Sequence, residues 1–89
     1  KKDLYKIIKM EDVNERQAEI IAYFLDNSDA IVTINEIQSR FATAYQTART
    51  DLLDLEELGY LSSKLVGKKF TFYKSDEFDN IIKKFRTLG

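Results

Sequence analysis

The sequence has 89 residues, 44% of them hydrophobic, which is one domain's worth of chain with material for a single core. It contains no cysteine and no histidine, so disulfides, thiolate metal sites, and the commonest general base and zinc ligand are all excluded. Fourteen lysines and arginines against fifteen acids give a net charge of −1, not that of a uniformly basic nucleic-acid binder, and no apolar run approaches the roughly 18 residues of a membrane span.

Residues 1–13 carry Leu4, Tyr5, Ile7 and Ile8 at loosely helical spacing and read as a linker or the tail of an upstream element. From Asn14 the signals sharpen. Asn14 and Gln17 have the spacing of a capping box, and Ala18, Ile21, Phe24 and Leu25 follow as an apolar stripe. This first helix ends near the polar cluster 26–29. Ile31 and Val32 form a short extended pair. Thr33 and Glu36 repeat the capping box, with Val32 and Ile37 placed as a hydrophobic staple, and predict a short helix from Ile34 to Arg40 or Phe41.

After about three residues the longest helical segment runs from Tyr45 to Leu58. Ala48, Leu52, Leu55 and Leu58 share one face, and Gly59 stands where a helix end favours positive φ. Tyr60–Val66 and Lys69–Lys74 read as two strands about Gly67-Lys68, with Leu61 and Leu65, and Phe70 and Phe72, alternating with polar neighbours. Phe78, Ile81, Ile82, Phe85 and Leu88 make a last helical stripe, opened by Ser75 or Asp76. This order predicts an α+β winged helix-turn-helix over residues 14–74, a three-helix core with a β-hairpin wing. A C-terminal amphipathic helix over 75–89 extends it.

On a helical wheel with Ala48, Leu52 and Leu55 inward, Gln46, Arg49, Thr50, Leu53 and Glu57 point outward, and Tyr45 sits at the first-turn edge. The first two turns of such a helix are the part that enters a major groove. Gln pairs bidentately with adenine, Arg with guanine or phosphate, and Tyr and Thr hydroxyls suit phosphate oxygens. The charge distribution matches in part. Residues 14–60 hold nine acids against three arginines, whereas residues 61–74 hold four lysines and no acid. Lys64, Lys68 and Lys69 fall on or beside the wing tip, where they serve either DNA phosphates or protection of an exposed strand edge. Phe70, Phe72 and Tyr73 read as core aromatics, and Asp51 and Asp54 as surface charge. The Phe78, Ile81, Ile82 and Phe85 stripe reads as core or as a self-association face. No glycine-rich phosphate loop and no paired nucleophile and base occur, so this fragment is expected to be non-catalytic, with no cofactor and no metal.

The segment "YQTARTDLLDLEELGYL" followed by "VGKKFTFY" resembles the C-terminal winged-helix domain of Fic-family (filamentation induced by cAMP) proteins, and the likeness covers roughly residues 13–74. The "ARTDL…L…LG" portion is also similar to bacterial repressor winged helices. The resemblance implies that Tyr45, Gln46, Thr47 and Arg49 open a recognition helix. It also implies that the parent protein carries an upstream domain transferring AMP to protein hydroxyls through an H-P-F-x-x-G-N-G-R motif. With no His and no Pro, this chain lacks that motif. Ala42 stands where the family usually has Gly, and Ala44 where a Ser usually caps the helix, unless Thr43 caps with Gln46 completing a box. The expectation is a cytoplasmic module cut from a longer chain, since Lys1 is not an initiator Met. Double-stranded DNA is the expected partner, with a protein partner or homodimer as the rival.

Overall fold

A computed structural model describes the backbone of residues 13–88 and the side chains of residues 13–83. The Leu4–Ile8 segment and the Phe85 side chain lie outside the described residues. The described elements are α1 (Glu15–Asp26), β1 (Ile31–Thr33), α2 (Ile34–Phe41), α3 (Tyr45–Glu57), β2 (Leu61–Val66), β3 (Lys69–Lys74) and α4 (Phe78–Leu88).

Two helices begin as their capping residues dictate. Asn14 Oδ1 accepts from the Gln17 amide at 2.8 Å, and Gln17 Oε1 accepts from the Asn14 amide at 2.9 Å. At α2, Thr33 Oγ1 accepts from the Glu36 amide at 3.2 Å, and Glu36 Oε1 from the Thr33 amide at 3.0 Å. Each pair satisfies two amides that a helix start otherwise leaves without partners. Val32 and Ile37 are both buried on either side of the second box, as the staple requires. A third box does not form. Ala44 is the N-cap of α3 and offers no side-chain acceptor, so the alternative of a Thr43–Gln46 cap is corrected.

The ends of α2 and α3 share one geometry with different residues. After α3, the Gly59 amide donates to Glu56 O at 3.0 Å and the Tyr60 amide to Leu55 O at 2.9 Å, with Gly59 at φ 98°. After α2, the Ala42 amide donates to Ser39 O at 3.3 Å and the Thr43 amide to Gln38 O at 3.2 Å, with Ala42 at φ 50°. Both are Schellman-type endings. Glycine takes the left-handed conformation freely, whereas alanine is strained there by roughly 1–2 kcal/mol.

The sheet is antiparallel with order β1-β3-β2, so the short Ile31–Thr33 strand joins the wing's own hairpin. Gly67, at φ 64°, occupies the first of the two turn positions. Phe72 stands opposite Val32 on one side and Ser63 on the other, and turns inward with Leu61. Phe24, Ile20, Ile21, Leu52, Leu55, Tyr60, Phe72 and Phe78 are the largest fully buried side chains, each contributing about 1.5–3 kcal/mol by burial. The Tyr60 and Phe78 rings meet edge to face at 6.1 Å, which docks α4 onto the end of α3. An added Cβ on Gly59 would lie 3.2 Å from Ile81 Cδ1, a second reason for glycine there. Phe78 and Ile82 therefore belong to the chain's own core, with Ile81 half-buried against it.

Three readings of apolar or charged positions are corrected. Phe70 and Leu65, expected on the wing's buried face, are 49% and 57% exposed, and Tyr73 is also exposed. For Phe70 and Leu65 the reason is reach, since a six-residue strand spans about 20 Å and its outer half outruns the helices beneath it; Tyr73, next to buried Phe72, points to the opposite face of the sheet. Leu53, placed outward on the wheel, is half-buried against the core. Asp51, read as surface charge, is buried. Among the described residues, no helix is long and apolar enough to cross a membrane.

Candidate nucleic-acid interface

The third helix is held from two sides. Asp51 accepts from Arg16 Nε at 2.7 Å, from Arg16 Nη2 at 3.4 Å and from Asn14 Nδ2 at 2.9 Å, while Gln17 Nε2 donates to the Asp51 carbonyl at 3.3 Å. The residue that caps α1 thus also ties α1 to α3. The hydrogen bond that Arg16 donates to Asp51 holds its guanidinium above its ordinary pKa; burial opposes the rise, and the Asp51 charge adds to it. Further along, Ser63 Oγ donates to Glu56 Oε2 at 2.6 Å and couples the base of the wing to the same helix. Asp51 and Glu56 are therefore positioning groups. Asp54 and Glu57 remain exposed on α3.

These anchors leave the N-terminal half of α3 facing solvent. Tyr45, Gln46, Arg49 and Thr50 are exposed, and Thr47 is half-buried. The α3 first turn contains no acid. Its amide groups, uncapped by any side chain, carry the positive end of the helix dipole outward.

The wing approaches this end. A cleft of about 250 Å³ is lined by Thr33, Ile34, Asn35, Tyr45, Lys68, Lys69 and Phe70. Three of the residues singled out in the sequence, Tyr45, Lys68 and Lys69, are brought together there. Gln46, Thr47, Arg49 and Thr50 follow Tyr45 along α3 outside the cleft lining, and Lys64 lies further down the hairpin, opposite Thr71. The lysines at 64, 68 and 69 are exposed and make no ion pair among the described residues, whereas Lys74 pairs with Asp79 at 3.1 Å. Phe78, Ile81 and Ile82 are core residues and take no part.

Thr33, Ile34, Asn35 and Phe70 also line the cleft, and the sequence nominates none of them as a site residue. The Thr33 box carried the signal for Asn35, because it fixes Asn35 as the second residue of α2, at an exposed helix start. Phe70 carried none, since alternation places it on the same face as buried Phe72. Among the described residues no group of acids could hold a metal ion.

No protein-family model and no curated relative matches the sequence. Solved structures do match. A MepR mutant from Staphylococcus aureus bound to an oligodeoxyribonucleotide superposes with a TM-score of 0.74 at 14% identity, covering 98% of this chain and 64% of that one. The apo form of MarR from Escherichia coli gives 0.69 at 12% identity, covering 98% and 65%. HlyU from Vibrio cholerae gives 0.65 at 21% identity, covering 97% and 87%. The chain spans about 64% of the length of MepR. At these identities the likeness is one of architecture, and the architecture is that of the winged helix found in these proteins.

Proposed function

We propose that the chain is a non-catalytic, duplex-DNA-binding module of a cytoplasmic protein. It presents the start of α3 to a major groove and its wing to the flanking backbone. The observation that carries this reading is the shared cleft, in which the first residue of α3 and two wing lysines, without an ion pair among the described residues, face one space. Beyond it, Gln46 and Arg49 offer base-edge donors and acceptors, and Tyr45, Thr47 and Thr50 offer hydroxyls for phosphate. Among structures of the same fold, MepR holds an oligodeoxyribonucleotide and is described as a transcription regulator of a multidrug efflux pump, which supports the reading. A Fic-type AMP-transferring domain as the module's neighbour in a longer protein rests on the sequence resemblance over roughly residues 13–74.

The test is mutational. Neutralising Lys68 and Lys69 together lowers the slope of log affinity against log salt by about two units and weakens all duplexes alike. Arg49→Ala costs roughly 1–3 kcal/mol and relaxes sequence preference. Duplex binding that persists unchanged in the Arg49, Lys68 and Lys69 triple variant ends the reading. The exposed acids Asp54 and Glu57 on α3 favour the second reading, a protein-interaction module, and that reading then leads.

A further inference from the structure

The wing tip carries more apolar surface than a soluble hairpin needs. Leu65, Val66 and Phe70 are all about half exposed within a six-residue span, and Tyr45 across the cleft is similarly exposed. The register sets Leu65 opposite Phe70, on the face that nearer the helices buries Leu61 and Phe72. The Leu65–Phe70 pair is thus the core face of the wing carried past the edge of the core. Lys68 and Lys69 adjoin it at the turn.

A surface of this kind fits a partner that alternates negative charge with apolar patches at short range. A nucleic-acid strand does so, with a phosphate about every 3.4 Å along the helix axis and a sugar between successive phosphates. Groove dimensions say where contact falls. A minor groove about 6 Å wide is narrow for two strands about 4.8 Å apart with their side chains, so the tip meets the sugar-phosphate walls of the groove first. We propose that the wing tip grips one strand of the duplex by two chemistries. Lys68 and Lys69 meet phosphates, while Leu65 and Phe70 pack on the deoxyribose faces between them. This rests on the DNA-binding reading and adds to it a contact that salt does not screen. An anionic membrane offers a similar alternation. The cleft favours DNA, because it is shared with the helix that carries Gln46 and Arg49, and because Asp54 and Glu57 on that helix oppose a flat anionic plane.

The experiment is a fluorescence-anisotropy titration of a random 20-base-pair duplex over a range of salt. It compares the wild-type chain, Phe70→Ala, Phe70→Lys and the double variant Lys68→Gln/Lys69→Gln, with folding of each checked by its melt. Phe70→Ala weakens binding by roughly five- to thirtyfold at every salt concentration, as expected when a half-exposed phenyl leaves a contact that buries it, and its line runs parallel to wild type. The double lysine variant changes the slope by about two units. Phe70→Lys steepens the slope and binds more weakly than wild type at high salt. Unchanged affinity in Phe70→Ala, or tighter binding of Phe70→Lys at all salts, overturns the sugar contact while leaving DNA binding intact. A wild-type chain that fails to bind at low salt defeats the DNA reading and this inference together. Binding to phosphatidylserine vesicles that Phe70→Ala abolishes, with duplex binding unaffected, assigns the patch to a membrane and overturns the inference.

Discussion

Replacing Asp51 by alanine removes, from the middle of α3, the one buried charged side chain among the described residues. Three side-chain hydrogen bonds go with it, two from Arg16 and one from Asn14. A bond to a charged group contributes about 1.5–3 kcal/mol and a neutral one about 1 kcal/mol. The loss is softened on the donors' side. Arg16 is already 39% exposed and Asn14 is exposed, so both regain water, which keeps the cost under the roughly 3–5 kcal/mol of stranding a buried charge. Relief of the carboxylate's own desolvation lowers it further. The expected cost is about 2 kcal/mol, and since about 1 kcal/mol moves the Tm of a domain this size by roughly 4–8 °C, Tm falls by about 8–16 °C. Thermal and urea melts followed by circular dichroism measure it. A double-mutant cycle with Arg16→Ala gives a coupling of about 1 kcal/mol or more. A loss under about 0.5 kcal/mol for Asp51→Ala, or Arg16→Ala costing the same in both backgrounds, refutes the assignment of this pair as the anchor of α3.

Ala44→Ser supplies the acceptor that α3 lacks on a backbone already extended at φ −72°, ψ 152°; the melt shows a gain of about 1 kcal/mol, and a loss contradicts the capping argument. Ala42→Gly relieves a strained left-handed alanine but adds freedom to the unfolded chain, so the net change in a urea melt lies between about zero and 1 kcal/mol of stabilisation, and a loss above about 1 kcal/mol contradicts the strain. The Arg16 pKa is raised in the folded chain, so its stabilisation is fully present below the ordinary arginine range and is lost only as pH climbs through the higher folded value. Asp51→Ala therefore costs the same at pH 7 and pH 9; a cost that shrinks over that interval contradicts the pairing.

What the sequence could show was set by how local the cause is. Capping boxes, the Gly59 ending and the Gly67 turn depend on residues within four positions of one another, and each helix and strand it predicts ends within one or two residues of the observed boundary. Asp51 could not be read this way. Its partners lie 35 and 37 residues away, and a helical wheel cannot tell a carboxylate on the core's border from one in solvent. Phe70 failed for a related reason, since alternation reports which face a residue shares but not how far the opposing layer extends. The site was half legible. Residue chemistry and element order nominated Tyr45, Lys68 and Lys69, but their convergence on one cleft with Asn35 and Phe70 depends on how the wing docks.

Engagement of duplex phosphates by α3 and the wing together is read from the salt dependence of binding by the wild-type chain. With about three to five phosphate contacts, log affinity for a random duplex falls against log salt with a slope of roughly −3 to −4. A slope near zero, or no binding at low salt, contradicts it.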